Sequence, residues 1–216
     1  MRRMVPLFPL PNVVLFPRAI LPLHIFEERY KVMTADALEG DRQIAMALLR
    51  PGWEKNYYGQ AEIEPVVCIG TILSHERLPD GKYNFLLQGQ TRARISREIK
   101  RQPGGYRVAE VVPIEETKVM EIDLDDQRQR LKEILEEPGL VQGSGLIRQF
   151  RQMLTSPLPT ADIADLIAFN LLEDVNLKQS LLAQPDVRRR VERVVRAVEV
   201  VKTALVSSIS GALNLN

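Results

Sequence analysis

The pair Gly81-Lys82 is the candidate for nucleotide chemistry in this chain. A phosphate-binding loop needs the pattern G-x-x-x-x-G-K-[ST], so that its backbone N–H groups can surround the phosphates. Glu76 occupies the place of the first glycine, and Tyr83 occupies the last place of the pattern. We therefore interpret the pair as a hairpin turn and expect no nucleotide site.

Ser144 is the candidate for nucleophilic catalysis, because it lies between Gly143 and Gly145. The nucleophile elbow has the pattern G-x-S-x-G and follows a strand. Gln142 replaces the first glycine, and no strand is predicted before it. We therefore interpret Ser144 as part of a loop between helices. A hydrolase would also need a general base beside the serine, and we find none.

Histidine and cysteine could bind a metal ion, but His24, His75 and Cys68 lack ligand spacing. The motif H-E-x-x-H fails at His75-Glu76 because Pro79 stands where the second histidine should be. We expect no metal and no cofactor. His24 is predicted to be hydrogen-bonded or on the surface, and Cys68 to be a buried core thiol.

The loop over residues 52–60, GWEKNYYGQ, contains the candidate peptide-binding residues Trp53, Tyr57 and Tyr58. Exposed rings supply a large contact area at low entropy cost and suit an extended apolar peptide. In the alternative, the loop folds back and its rings close one end of the sheet. The sequence leaves both interpretations open.

Two basic groups could bind nucleic acid or an acidic partner. Strand alternation puts Arg92 and Arg94 on one face and Arg97 and Arg101 on the other, so the first group is not one patch. The second group is interpreted as the solvated face of the last helix. It comprises Arg188, Arg189, Arg190, Arg193 and Arg196. Nucleic acid is therefore not the expected partner.

Composition points to a globular protein. The chain has 216 residues, of which 45% are hydrophobic and 26% charged, and its formal net charge is +1. These values suit one large or two small domains, without a charge-driven attraction to nucleic acid or an acidic membrane. No stretch approaches the roughly 18 apolar residues of a membrane span, and N-terminal prolines interrupt any signal-peptide core. We expect a cytoplasmic protein.

The apolar period changes near residue 115 from two, typical of strands, to about 3.6, typical of helices. Asp80-Gly81 predicts a hairpin, and one helix with Ile25 and Phe26 on its apolar side follows the second strand. The strands themselves are predicted at residues 13–16, 21–23, 44–49, 66–78, 83–89, 91–100 and 106–114.

Beyond residue 115 four or five helices are predicted, so the domains are expected at 1–117 and 118–216. Thr160 or Asp162 is expected to cap the third helix and Asp186 the long last helix. A valine seam along the last helix, with Val191 and Val194, suits packing within the bundle or an oligomer contact. The oligomeric state stays open.

The opening of the chain resembles a known family. MVPLFPLP at 4–11 and VVLFPRAILPLHIFEERY at 13–30 carry P-L-F-P-L, V-L-F-P, L-P-L-H-I-F-E and R-Y in that order. This pattern resembles the amino-terminal, substrate-binding domain of Lon proteases. The resemblance gives a structural role to Pro17, Leu21, Pro22, Leu23, Phe26, Glu27, Arg29, Tyr30, Gly70 and Gly89.

Two positions depart from the family pattern. Arg18 stands where glycine is usual and predicts a turn without positive φ. Glu28 stands where proline is usual and is a good helix former.

The resemblance implies an α+β fold, with a PUA-like antiparallel β-barrel that has one inserted helix and is followed by an α-helical bundle ending in a long helix. It also implies a non-catalytic recognition module for unfolded or extended polypeptide. Such a module would act as an adaptor or holding factor in protein quality control, with a protease or ATPase as one conceivable partner. The alternative is an RNA- or nucleotide-binding PUA-like module, which the mixed charge disfavours.

Overall fold

The computed structural model describes residues 2–57, 59–99, 105–136 and 145–213, with side chains up to residue 203. Within these residues the chain forms six strands, six α-helices and two short 3-10 helices. The strands are β1 (Arg3–Leu10), β2 (Ile20–Ile25), β3 (Gln43–Leu48), β4 (Val66–Arg77), β5 (Tyr83–Ile99) and β6 (Arg107–Pro113). The helices are α1 (Glu28–Glu39), α2 (Asp125–Glu136), α3 (Gly145–Thr155), α4 (Thr160–Leu171), α5 (Val175–Leu182) and α6 (Val187–Leu213). The 3-10 helices are Trp53–Asn56 and Glu121–Leu124. The predicted α+β class is confirmed.

The strands form one sheet in the order β2-β5-β4-β3-β1-β6, and β6 also pairs with β5. The path from β5 through β4, β3, β1 and β6 therefore returns to β5, and β2 lies outside this path. The sheet is mixed rather than purely antiparallel as predicted, because β1 and β3 run parallel. Their connection contains β2 and α1, which is long enough to bring the chain back in the same direction.

The interior of the closed part of the sheet is filled by small and branched side chains. They are Val5, Leu7, Ala45, Ala47, Val67, Ile69, Ala93, Ala109 and Val111. Alternate residues of each strand point inward, so small side chains suit the limited space inside a ring of few strands.

Two sequence predictions about the strands were wrong. Residues 13–16 form no strand, although Val14, Leu15 and Phe16 are buried. These apolar residues enter the core from an extended loop, which periodicity cannot distinguish from a strand. The two strands predicted at 83–89 and 91–100 are one continuous strand, β5.

Arg18 adopts a φ of 64°, which contradicts the predicted turn without positive φ. The Ala19 N–H donates to the Phe16 carbonyl over 3.2 Å, and the Arg18 N–H donates to the Gly89 carbonyl over 2.7 Å. With Pro17 in second place and positive φ in third place, this is the arrangement of a type II turn. The hydrogen bond to β5 holds Arg18 in a conformation that glycine would adopt without strain.

The chain divides into two compact units. The first comprises Met1–Glu115 and Val175–Ala183, and the second comprises Glu116–Asp174 and Gln184–Asn216. Helix α5 therefore belongs with the strands, whereas the predicted boundaries place it in the domain over residues 118–216. Two hydrogen bonds join it to the sheet: Gln179 donates to the Val66 carbonyl over 2.9 Å, and the buried Arg92 donates to the Leu182 carbonyl over 3.2 Å.

In the second unit, long-range hydrogen bonds organise the helix ends. The start of α4 is capped by the Glu121 carboxylate, which accepts from the Thr160 N–H and, over 2.8 Å, from its hydroxyl. The predicted caps Thr160 and Asp162 are thus replaced by a residue outside the helix. The predicted cap of α6 is present, since the Arg189 N–H donates to Asp186 over 3.0 Å.

The long helix α6 packs its valine seam against α2 and α4, with Val191 and Val194 fully buried. Arg190 is only 1% exposed and pairs with Asp165 at 3.1 Å and Glu116 at 2.7 Å. It does not lie on a solvated face as predicted, because two carboxylates inside the unit hold it.

We expect Arg18→Gly to be more stable than Arg18→Ala by about 1 kcal/mol, because a side chain with positive φ costs roughly that much. Urea unfolding followed by circular dichroism measures the free energy of unfolding of both variants. The alanine variant is the matched control, since it also loses the guanidinium but keeps the Cβ atom. Equal stability of the two variants would contradict the role of φ.

Candidate functional site

One exposed surface of the first unit is formed where β2, β5 and β4 run side by side. Ile20, Pro22, His24 and Phe26 alternate along β2 and just beyond it, so their side chains leave the same face. In register, Pro22 and His24 lie opposite Leu86 and Asn84, which in turn lie opposite Ser74 and Glu76. These eight residues, Ile20, Pro22, His24, Phe26, Ser74, Glu76, Asn84 and Leu86, are termed the open face.

The open face concentrates exposed apolar side chains. Phe26 is 62% exposed and Ile20 46%, and Leu86 and the neighbouring Leu73 are exposed as well. The prediction that Phe26 lies on the apolar side of the helix was wrong. Residue Glu27 keeps extended backbone angles, so α1 begins only at Glu28 and Phe26 continues the alternation of β2. Contiguous apolar surface of this kind marks interaction sites.

A cavity of about 440 Å³ opens on this face. Six residues of the open face line it: Pro22, His24, Ser74, Glu76, Asn84 and Leu86. Leu23, His75 and Phe85 line it too, but their side chains alternate toward the other face of the sheet. The His24 ring is held by Asn84, whose side-chain oxygen lies 2.7 Å from Nδ1. The ring also stacks on Phe26, with 6.2 Å between the ring centroids. The cavity is therefore an apolar depression with a few ordered polar groups, as ligand sites commonly are.

The free edge of β2 is interrupted by a proline. Among the described strands β2 pairs with β5 alone. Pro22, near its centre, has no N–H and cannot donate to an added strand. Prolines on edge strands protect proteins against pairing with other chains. The edge of β2 thus offers no continuous backbone ladder, whereas most side chains of the open face are exposed.

The loop that contains Trp53 and Tyr57, termed the aromatic loop, lies beside the open face. Tyr57 donates its hydroxyl to Glu27, the residue after Phe26, over 2.6 Å. Arg29 donates to the Tyr57 carbonyl over 3.2 Å, and its guanidinium lies 4.7 Å from the centroid of the Tyr57 ring. Trp53 packs edge-on against the same ring, with 5.4 Å between centroids. The hydrogen bond from Tyr57 to Glu27 therefore fastens the loop to the start of α1.

Trp53 and Tyr57 are both partly exposed, so a role in binding stays a prediction for each. Tyr58 lies outside the described residues. Burial and the hydrogen bond to Glu27 raise the pKa of Tyr57 above its ordinary value, so its hydroxyl remains a donor at neutral pH. Burial raises the pKa of Tyr30 further; its ring packs on Phe8 with 4.4 Å between centroids.

The structure explains why other residues of the family pattern are needed. A Cβ on Gly89 would lie 2.0 Å from the Phe16 carbonyl oxygen, and one on Gly70 would lie 2.7 Å from the Leu87 side chain. Leu21 and Leu23 are half-buried on the face of β2 opposite Pro22. The open face was not predicted from the sequence. The alternation of Ile20, Pro22, His24 and Phe26 could have indicated the face of β2, but it carries no signal for the contribution of β4 and β5.

The structure also places the residues that were considered for catalysis or metal binding. Gly81 has a φ of 79° and its N–H donates to Leu78 in the β4–β5 turn, as interpreted. Cys68 is fully buried, as predicted. Ser144 lies outside the described residues. Within the described residues no group of three or more His, Cys, Asp or Glu side chains could hold a metal ion. None of the described helices has the length and apolar character needed to cross a membrane.

Comparison with known proteins gives a consistent result. Residues 4–200 match the family described as the ATP-dependent protease La (LON) substrate-binding domain. The chain is 26% identical over 193 residues to a Lon protease of Desulfosudis oleivorans, covering 89% of this chain and 23% of the relative. It is 28% identical over 203 residues to Lon protease 3 of Sorangium cellulosum, covering 92% of this chain and 24% of the relative. The chain thus spans about a quarter of the length of these relatives.

Two solved structures share the fold. The N-terminal domain of a Lon protease of the Mycobacterium avium complex has a TM-score of 0.70 and 16% identity, covering 91% of this chain and 98% of that domain. A Lon N-terminal domain protein from Xanthomonas campestris has a TM-score of 0.63 and 22% identity, covering 90% and 98% respectively.

We expect Tyr57→Phe to shift the fluorescence of Trp53 and to lower the free energy of unfolding by about 1 kcal/mol, because one hydrogen bond to a carboxylate is lost. The matched control is Tyr106→Phe, which removes the 2.6 Å hydrogen bond from Tyr106 to Asp36 in the same unit. It should lower stability similarly and leave the Trp53 emission spectrum unchanged. An unchanged spectrum in Tyr57→Phe would show that the loop is not held by Glu27.

Proposed function

Since the chain belongs to the family of the ATP-dependent protease La (LON) substrate-binding domain, we propose that its open face binds extended segments of unfolded polypeptide. The observation that carries the proposal is the row of exposed side chains Ile20, Pro22 and Phe26 beside Leu86. A folded protein gains stability by covering such side chains, and these remain uncovered within the described residues. An extended segment supplies alternate apolar side chains at a spacing that suits a strand face.

Binding on this face rests on burial of apolar area. Each square ångström removed from water contributes about 25 cal/mol, from which the ordering of the bound segment must be subtracted. A site with a few apolar residues therefore binds a single segment weakly. Weak binding of many segments suits a protein that recognises unfolded chains rather than one fixed partner.

The aromatic loop is the proposed extension of the face. The Glu27–Tyr57 hydrogen bond keeps the loop next to Phe26, and Trp53 packs edge-on against the Tyr57 ring. In this proposal a bound segment that passes Phe26 continues over Trp53. In this proposal Tyr57 serves mainly to hold the loop in place, since its hydroxyl and its carbonyl are already engaged.

The proposed role is that of an adaptor or holding factor in protein quality control in the cytoplasm, without catalysis of its own. The relatives are named as Lon proteases, so a protease or ATPase that acts on the bound segment is the proposed partner class. The family and the proposed polypeptide binding support this role.

We expect Phe26→Ser to weaken binding of a reduced, permanently unfolded protein by about three- to tenfold, because a large apolar contact is lost. Isothermal titration calorimetry measures the affinity, and Trp53 fluorescence reports whether the loop takes part. The matched control is Met4→Ser, which removes another exposed apolar side chain of the same unit, 56% exposed and outside the open face.

Equal weakening by the two substitutions would show nonspecific apolar binding and contradict the assignment of the site. In parallel, the wild-type chain is titrated with single-stranded RNA of mixed sequence. Saturable RNA binding that weakens with salt, together with no binding of unfolded protein, would overturn the proposed function in favour of nucleic acid recognition.

A further inference from the structure

We infer that the open face selects extended segments in which a basic side chain lies among apolar residues. This inference deepens the proposed function and rests on it. It is carried by the chemistry of the cavity on the open face, where one acidic side chain lies within mostly apolar walls.

Glu76 is the acidic residue of this cavity, and it is exposed. Neighbouring acids have cationic partners: Glu27 pairs with Arg29 at 3.0 Å, and Asp80 pairs with Lys82 at 2.6 Å. Within the part of the chain that the structure describes, Glu76 forms no ion pair and no hydrogen bond through its side chain. The cavity therefore presents a carboxylate that is available to a cation from outside.

The walls around Glu76 suit the stem of a basic side chain. Pro22 and Leu86, both exposed, line the same cavity. Lysine and arginine bury their methylene groups along apolar surface while the charged end reaches a polar site. On β5, Leu86 lies opposite Pro22 of β2. Asn84, two residues away on β5, lies opposite Glu76 of β4. A stem lying over Pro22 and Leu86 would thus point its charged end toward the row that contains Glu76.

Besides Glu76, histidines and a few charged pairs lie in or near the cavity. The chain has two histidines, and both line it. His24 comes from β2 and His75 from β4, while β5 contributes the neutral Asn84. The further charged groups nearby are the pairs Glu27–Arg29 and Asp80–Lys82, and Arg77, whose guanidinium lies 5.9 Å from the centroid of the Tyr83 ring.

The test uses three labelled peptides that differ at one central position, which is Lys, Gln or Glu within identical apolar surroundings. Fluorescence anisotropy gives their affinities for the full chain. We expect the Lys peptide to bind about two- to fivefold more tightly than the Gln peptide, the gain usual for a partly exposed ion pair, and the Glu peptide to bind most weakly.

Variants of Glu76 assign this preference to its carboxylate. Glu76→Gln should make the Lys and Gln peptides equal, and Glu76→Lys should favour the Glu peptide. The matched control is Glu39→Gln, which neutralises an exposed acid at the end of α1, outside the open face. The control should retain the wild-type order of affinities.

Each outcome decides between the two claims. Equal affinities of the three peptides for the wild-type chain would overturn the inference and leave the proposed function standing. No binding of any peptide, and none of the unfolded protein, would overturn the proposed function and the inference with it. If sedimentation shows a dimer that Phe26→Ser dissociates, a second copy covers the open face and the inference is wrong.

Discussion

The contact between the Phe16 carbonyl and Gly89 is the constraint on which the arrangement of the first unit depends. Any larger residue at position 89 would place its Cβ atom 2.0 Å from the carbonyl oxygen. Next to this contact the Arg18 N–H donates to Gly89, and the Gly89 N–H donates to Ala19 over 2.9 Å. These bonds hold the entry of β2 against the middle of β5. The chain then has to run along the first half of β5, with Ile20 opposite Gln88.

The same region is where the sheet changes from a closed path to an open extension. Gly89 lies opposite Gly70 of β4, and register shifts occur in β4 at Ile69/Gly70 and between Ile72 and Ser74. Bulges and glycines allow long strands to bend. Strand β5 can therefore pair with β6 in its second half and with β2 in its first half. The open face exists because the extension beyond these glycines carries β2 as an edge strand with one side uncovered.

Local patterns predicted the parts of the structure that depend on local physics. The helix after the second strand, the turn at Gly81 and the cap at Asp186 all follow from residues close in sequence. Two of the errors occurred where distant residues decide. Arg18 takes a positive φ because Gly89 holds it, and Glu121 caps α4 from outside the helix. The candidate site could be predicted only in part. The alternation along β2 was visible in the sequence, but its neighbours on β4 and β5 and the hydrogen bond from Tyr57 to Glu27 were not.

The basic residues of the chain also bear on the choice of partner. Arg92, Arg107 and Arg190 are buried and act as donors inside their own units: Arg92 binds the end of α5, Arg107 binds Glu98, and Arg190 binds Asp165. An arginine enclosed in this way cannot neutralise a phosphate of a nucleic acid backbone. These three arginines therefore do not contribute to a basic binding surface. The open face, by contrast, presents exposed apolar side chains together with the carboxylate of Glu76, which has no ion pair among the described residues, and this composition does not favour a polyanion.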